Sequence, residues 1–486
     1  MNLFKTFLTF VLCAPTVQAV PCHELMELIL PHAKITAAKA PITQSGVCQV
    51  AATLTPTPDS DIKIEVWLPQ ENWNGKYMAV GNGGWLGAIN YNALNDGVKR
   101  GYATSSTDTG HTGGSASFAL GHPEKLIDYA YRSEHEMVLA AKAIIAAYYG
   151  KSARLAYWNG CSAGGKQGLK EAQQHPADFD GIVAGAPASN WTGRAAQAIW
   201  SAQAVHLDEA AYIPPAKYPY LHNAVLAQCD ALDGVKDGVI ENPLACAFDP
   251  KVLGCAGADA PQCLTRPQVE AVRKLYGDSI NPRTGKHLYP GLQKGSELGW
   301  STWAGSQPLG IALDYFRYVV FQKPDWDFRT LNFDSDIARA EAMDAHRINA
   351  TDPDLKPFFL HGGKLIQYHG WSDPQISPRN SIDYFQSVKA ITGNDANNSY
   401  RLFMVPGMGH CGGGDGTDSF DMVRALEQWV EQKKAPAQIS ASRIRSGKVE
   451  RTRPLCPYPQ VALYTGQGST NEAANFTCGI PASNSL

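Results

Sequence analysis

Gly160-Cys161-Ser162-Ala163-Gly164 lies between Arg154-Leu155-Ala156-Tyr157-Trp158-Asn159, which reads as a short buried strand, and a run of good helix formers from Lys166 to His175. A Gly-x-Ser-x-Gly pentad in that setting is a nucleophile elbow, a sharp strand-to-helix turn that lifts the serine hydroxyl above the sheet edge. Its glycines fit because strand and helix pack closely around a strained turn, leaving little room for a Cβ. A Gly/Ser/Ala-rich turn also serves a plain strand-to-helix connection, so the flanking strand and helix are what raise the catalytic reading.

Working outward, the chain repeats a strand-then-helix rhythm. Ile62-Lys63-Ile64-Glu65-Val66-Trp67-Leu68 alternates apolar and polar as a half-buried strand does. Tyr77 to Val80 and Gly101 to Asp108 read as strands, Ser133 to Tyr149 as an amphipathic helix, and Gly181 to Gly185 as the strand after the elbow helix. From about Trp191 to about Pro357 the rhythm breaks into a stretch rich in Trp, Pro and Gly. It then resumes with strand Lys364 to His369, helix Ser377 to Ile391, strand Arg401 to Val405 and helix Asp418 to Lys433. This order predicts an α/β fold with a mostly parallel sheet. The catalytic domain spans residues 20–190 and 358–486, and a large inserted lid domain spans residues 191–357.

An activated serine needs a base, and the base needs an orienting carboxylate. In α/β-hydrolases these follow in the order Ser, Asp or Glu, His. Asp373 falls on the loop after Gln367-Tyr368-His369-Gly370-Trp371, where the acid belongs. His410 falls in Gly407-Met408-Gly409-His410-Cys411-Gly412, where the base belongs. His361 and His369 precede Asp373, and His111 precedes the elbow, so chain order disfavours them. The early loop Gly81-Asn82-Gly83-Gly84-Trp85-Leu86-Gly87 lacks the Lys of a P-loop and the spacing of a dinucleotide fingerprint. In a hydrolase a glycine loop there brings a backbone N–H to the oxyanion.

The chain has 486 residues and a formal net charge of −3, which offers no electrostatic footprint for nucleic acid. Lys5, the apolar run Phe7 to Ala14 and Val17-Gln18-Ala19 read as a signal peptide over residues 1–19, and no later stretch is long enough to span a membrane. The expected location is secreted or periplasmic. The remaining chain exceeds the ~250–300 residues at which one core stops growing, so two domains or a large insertion are expected. Without Cys13 the cysteines are even in number, as in an exported chain with full pairing, although spacing does not give connectivity. Neighbour pairing suggests Cys22–Cys48, Cys229–Cys246, Cys255–Cys263 and Cys456–Cys478, leaving Cys161 and Cys411. No Cys-x-x-Cys occurs, so a cysteine zinc cluster is not indicated.

The two remaining cysteines flank Ser162 and His410. Cys-Ser, then Asp, then His-Cys resembles the tannase and feruloyl esterase family, which includes the mono(hydroxyethyl) terephthalate hydrolases. Gly-Cys-Ser-Ala-Gly-Gly, His369-Gly370-Trp371-Ser372-Asp373 and Gly409-His410-Cys411 carry the resemblance. It implies an α/β-hydrolase core, a lid and hydrolysis of esters of aromatic acids. By position it assigns Ser162 as nucleophile, His410 as base and Asp373 as its orienter. The oxyanion hole is then the N–H of Ala163 with one from Gly83 or Gly84, and a Cys161–Cys411 disulfide ties nucleophile to base.

Within the insertion, Asp230-Ala231-Leu232-Asp233-Gly234-Val235-Lys236-Asp237-Gly238-Val239 gathers three carboxylates in a glycine-turned loop, which suits a hard cation; a pair of solvated Asp-Gly turns reads equally well. The spacing is not that of an EF-hand. The resemblance implies a structural Ca2+ held by Asp230, Asp233 and Asp237 side chains and by Val235 and Val239 carbonyls. Trp300, Trp303, Tyr315, Phe316, Tyr318, Phe321 and Trp326 either fill the lid or clamp a flat acyl group, and Arg317 either pairs a carboxylate or faces solvent. The expected partner is a small aromatic ester, feruloyl-type first, with tannase or terephthalate half-ester hydrolase as the alternative. Readings from other classes are a calcium-stapled, non-catalytic binding module and a hydrolase using Cys161.

Overall fold

A computed structural model describes residues 19–41 and 46–481; the expected signal peptide lies outside them, save for Ala19. Its centre is a nine-stranded sheet in the order β1-β2-β3-β5-β4-β6-β7-β8-β9. The strands are β1 Ala33–Lys39, β2 Val47–Leu54, β3 Ile62–Pro69, β4 Lys76–Val80, β5 Ala103–Thr107, β6 Leu155–Cys161, β7 Gly181–Gly185, β8 Lys364–Gly370 and β9 Tyr400–Val405. The six strands from β5 to β9 in sheet order run parallel. β3, β2 and β1 extend the sheet as an antiparallel edge. β1 and β2 are additions to the strands read from the sequence.

Period-two alternation divides the central strands between two cores. Tyr77, Ala79, Trp158, Ile182, Ala184, Leu365 and Leu402 pack on one face, with helices Ser133–Tyr149, Ala163–Gln174 and Arg379–Thr392. Met78, Val80, Tyr157, Val183, Ile366, Phe403 and Val405 pack on the other, with helices Tyr91–Lys99 and Met422–Gln432. Burial of every residue in β4, β5 and β7 follows from this double cover. β3 alternates at its start, but Val66, Trp67 and Leu68 are all buried, because both faces are covered there, Val66 and Leu68 packing in one core and Trp67 in the other. The last helix begins at Met422, later than the expected Asp418, because Asp421 caps it by accepting from Arg424 N–H.

Between β7 and β8 the chain forms helices, including Trp191–His206, Tyr218–Cys229 and Arg266–Tyr276, and only a two-stranded ribbon, Ser279–Ile280 with His287–Tyr289. Trp300, Trp303, Tyr315 and Phe316 are buried in its interior, and this cluster is continuous with Trp85, Tyr129 and Ala163 of the sheet domain. Most of the aromatics noted in the sequence are therefore core. Arg317 donates its Nε to Trp326 O at 3.2 Å.

After β9 and its helix, two hairpins end the described chain: Ile439–Arg445 with Lys448–Leu455, and Val461–Tyr464 with Phe476–Gly479. Cys456, Ala462 and Phe476 pack on Val235. The tail is thus a brace for the acidic loop, a contact across more than two hundred residues that no local pattern announces.

At the elbow, β4 ends against the helix through glycine alone. A Cβ on Gly81 would lie 2.4 Å from Gly164 Cα, a backbone atom that cannot rotate away. Gly81→Ala is expected to cost ~1–3 kcal/mol by overpacking and to lower the thermal midpoint. An unchanged midpoint in scanning calorimetry would show that the two segments separate freely.

Candidate active site

Ser162 adopts φ 65° and ψ −122°, a sparsely populated region for a residue with a Cβ, which costs ~1–3 kcal/mol and persists only where the surroundings impose it. Here they do. Ser162 N–H donates to Gly185 O at 2.9 Å, and Ser162 O accepts from Lys166 N–H at 3.1 Å and Ala188 N–H at 3.2 Å. Gly164 N–H donates to Asn82 O at 2.8 Å, fastening the glycine loop to the first helical turn. Ser162 is the N-cap of helix Ala163–Gln174, so Ala163 N–H belongs to the first-turn donors that helix geometry leaves without intrahelical partners. The positive end of the helix dipole favours negative charge at this point.

The glycine loop supplies the other side. Asn82 N–H is occupied by Gln167 Oε1 at 3.0 Å, which leaves Gly83 and Gly84 as the next donors along it. Gly84 has φ +49°, and its carbonyl accepts from Tyr129 Oη at 2.6 Å.

Asp373 is fully buried three residues beyond β8. Its Oδ2 accepts from His410 Nδ1 at 2.7 Å and from His369 Nε2 at 3.1 Å, and its Oδ1 accepts from Gln375 N–H at 2.7 Å and Ile376 N–H at 3.0 Å. Burial pushes this carboxyl up, but the charge of His410 and the hydrogen bonds from His369 and His410 outweigh it and hold the group well below the ordinary carboxylate range. Because an ionised carboxylate only accepts, the His410 proton sits on Nδ1, which leaves the Nε2 lone pair able to accept a proton.

Chain order excludes His369 as the base, but the structure gives it another place. Its Nε2 faces two acceptors, Asp373 Oδ2 and Ile376 O, both at 3.1 Å, and so carries a proton. Its Nδ1 lies 2.7 Å from Ser381 Oγ. His369 thus positions the acid from behind. Arg194, 3 % exposed, braces the same turn by donating Nε to Gln375 O at 2.9 Å. Only the adjacency of His369 to the Asp373 motif could have suggested the first contact, and nothing local marks the second. Of the other histidines, His361 is exposed, and His111 Nε2 lies 2.8 Å from Trp85 O.

Ser162 follows β6, Asp373 follows β8 and His410 follows β9, all at the carboxyl edge of parallel strands. β6 and β9 are three positions apart, about 14 Å at ordinary strand spacing. The base loop nevertheless returns to the elbow, because Cys161 and Cys411 are disulfide-bonded with their Cα atoms 6.1 Å apart. Cys411 has φ 61°, unusual for a residue with a Cβ. Backbone bonds join the acid and base loops as well, Trp371 N–H to Val405 O at 2.9 Å and Ser372 N–H to Met408 O at 3.0 Å. The other four disulfides are Cys22–Cys48, Cys229–Cys246, Cys255–Cys263 and Cys456–Cys478, the pairing expected of neighbours.

The segment between β7 and β8 touches all three loops. Trp85 Nε1 donates to Ile311 O at 3.0 Å beside the glycine loop. Gly299 packs against Pro374, and Val239 against Gly407.

Near that last contact lies the acidic turn. Asp230 accepts from Asp237 N–H at 3.1 Å and Gly238 N–H at 3.0 Å, and Asp233 from Val235 N–H at 2.9 Å. Burial and the charges of Asp237 and Asp230 push the Asp233 carboxyl up to about 6. Arg453 and Arg451 pair with Asp237. Glu241, a half-buried acid beside the turn, accepts from Ala462 N–H at 3.0 Å. Asp230, Asp233 and Asp237 share one short turn, and oxygen is the donor type a hard cation takes.

Serine, histidine and buried aspartate on this edge are the parts of acyl transfer through a serine nucleophile. Replacing Cys161 and Cys411 together by Ala removes the tie across β7 and β8. Loss of a bridge closing a 250-residue loop costs up to ~5 kcal/mol in the chain-entropy model. At temperatures where the variant stays folded, ester turnover is expected to fall by about 10²-fold, since ~1 Å of misplacement has that effect. Full kcat in a folded double variant would reduce the bridge to a staple.

Comparison with known proteins adds evidence independent of the geometry. The family described as tannase and feruloyl esterase matches residues 48–479. An uncharacterized esterase of Xanthomonas campestris pv. campestris is 38% identical over 522 residues, covering 94% of this chain and 91% of its own. A probable feruloyl esterase B-2 of Aspergillus terreus is 35% identical over 466 residues, covering 90% of this chain and 86% of its own. The crystal structure of feruloyl esterase B from Aspergillus oryzae superposes with a TM-score of 0.88 at 30% identity, over 93% of this chain and 98% of that one. The chain belongs to the tannase and feruloyl esterase family and is a carboxylic ester hydrolase with an α/β-hydrolase-like fold.

Proposed function

We propose that this protein is a secreted serine esterase that hydrolyses esters of aromatic acids, feruloyl-type esters first, through an acyl-enzyme on Ser162. The observation that carries the mechanism is the 2.7 Å contact between His410 Nδ1 and Asp373 Oδ2 on a loop disulfide-bonded to the residue beside Ser162. His410 Nε2 takes the Ser162 proton as the hydroxyl attacks the ester carbonyl. The tetrahedral oxyanion is received by Ala163 N–H and an N–H of Gly83 or Gly84. His410 then protonates the departing alcohol and activates the water that clears the acyl group. Asp373 stays ionised throughout and stabilises the imidazolium.

In this reading residues 191–357 are a lid over the carboxyl edge, supported by their contacts with the glycine, acid and base loops. The resemblance to feruloyl esterases supports the acyl preference. The disulfides and the leader-like first residues support export.

The acidic turn would hold Ca2+ through Asp230, Asp233, Asp237 and the carbonyls of Val235 and Val239, with the ion offsetting the mutual repulsion of neighbouring carboxylates. Its place beside the tail and the base-loop flank makes that role structural.

Ser162→Ala is expected to lower kcat by roughly 10⁶-fold with an unchanged fold. A panel of methyl ferulate, methyl gallate and mono(hydroxyethyl) terephthalate, compared by kcat/KM, tests the acyl assignment. Ferulate is expected to lead, and a gallate or terephthalate preference would move the enzyme to the tannase or half-ester branch. Substantial turnover left in Ser162→Ala would reject the nucleophile.

Chelation, or Asp233→Ala, is expected to lower the thermal midpoint before activity falls. Calcium-free protein by elemental analysis, with no stabilisation on adding Ca2+, would reject the ion.

A further inference from the structure

The end of helix Ala163–Gln174 remote from Ser162 carries a cluster that the ester chemistry does not use. His175 follows the helix, His135 stands in the first turn of helix Ser133–Tyr149, and Asp178 lies in the turn before β7. One donor atom from each lies within 4.8 Å of the other two. The imidazole rings are stacked, with centroids 3.7 Å apart and planes 10° from parallel. Asp178 Oδ2 is 2.7 Å from His135 Nδ1. Lys142 Nζ donates to Asp178 O at 2.7 Å and stands 3.7 Å from Oδ1, leaving Oδ2 on the histidine side.

A second, independent observation lies one helical turn from the cluster. Glu171, one turn before His175 on the same helix face, is 1 % exposed. Neither of its carboxylate oxygens has a hydrogen-bond donor among the described residues. A buried carboxyl left without a donor is costly until a proton or a positive ion offsets it.

We propose that His135, His175 and Asp178 bind a divalent transition metal of the zinc type, one helical turn from the buried carboxyl of Glu171. Two imidazoles and a carboxylate select such ions over calcium or magnesium, which prefer oxygen alone. Ligands at ~2.0–2.1 Å from a tetrahedral ion stand ~3.3 Å apart, so the His135–Asp178 separation opens by about 0.6 Å as the ion replaces the shared proton. The stacked rings tilt to converge on it. His135 keeps 27% of its side chain exposed, which gives the ion a route in. The elbow helix has 12 residues, about 18 Å of rise, so the site is far from the reacting atoms and its role is to lock two helices to the sheet. A cation also suits a helix C-terminus.

The test uses the full chain, stripped with chelator and then saturated with Ca2+ so that oxygen-donor sites are filled. Calorimetric titration with Zn2+ is expected to show one equivalent bound at micromolar or tighter Kd, a raised unfolding midpoint and unchanged kcat. His135→Ala with His175→Ala is expected to weaken binding at least 100-fold while the response to Ca2+ persists. Should that pair not fold, His175→Gln alone is read against the same expectation. Cobalt(II) added to the unaltered protein gives a reading that needs no variant, the intense visible bands of a four-coordinate ion. Absence of saturable Zn2+ binding, absence of those bands, or binding that survives the histidine substitutions would each overturn the site.

Discussion

A serine just beyond β6 and a histidine beyond β9 are separated by two intervening strands, and the structure depends on the covalent tie that draws their loops together. Parallel strands fan their carboxyl ends along one edge, and neighbouring strand spacing alone would leave these two loops about 14 Å apart. The Cys161–Cys411 bond brings their backbones to 6.1 Å. The backbone pairs between the acid and base loops then set the angle of approach. Strain is concentrated on either side of the tie, at Ser162 and Cys411, both with positive φ. Rigid packing on both faces of the sheet allows those conformations to persist.

The second constraint is the charge of Asp373. A buried carboxylate is costly unless its lone pairs are satisfied, and here four donors converge on it. Two are histidines, and two are backbone groups of a turn that Arg194 holds from the opposite side. The carboxylate therefore stays ionised without solvent, which is the state that fixes the His410 tautomer. Polar groups buried behind a reacting centre in this way serve geometry, and their contribution to stability is secondary.

The segment between β7 and β8 and the C-terminal hairpins form a continuous support around the same edge. The aromatic interior of the former merges with Trp85 and Ala163 beside the elbow. The latter reaches the acidic turn through Arg451, Arg453 and Phe476. Distortion of that turn would be transmitted to the base loop through Val239 and Gly407.

Sequence alone determined the elements whose signals are local. The elbow pentad, helix Ser133–Tyr149 and strand Gly181–Gly185 were legible because turn chemistry and hydrophobic period act within a few residues. The order of Ser162, Asp373 and His410 was legible because parallel topology turns chain order into position along one edge. Four neighbouring cysteine pairs were legible for the same reason of proximity. Burial of Val66 to Leu68, the added strands β1 and β2, and the service of His369 and Arg194 to Asp373 were decided by the tertiary structure. So were the packing of Phe476 on the acidic turn and the gathering of Asp178 with His135 and His175. These depend on contacts between segments distant in the chain, and no periodicity or spacing encodes which buried polar group will face which.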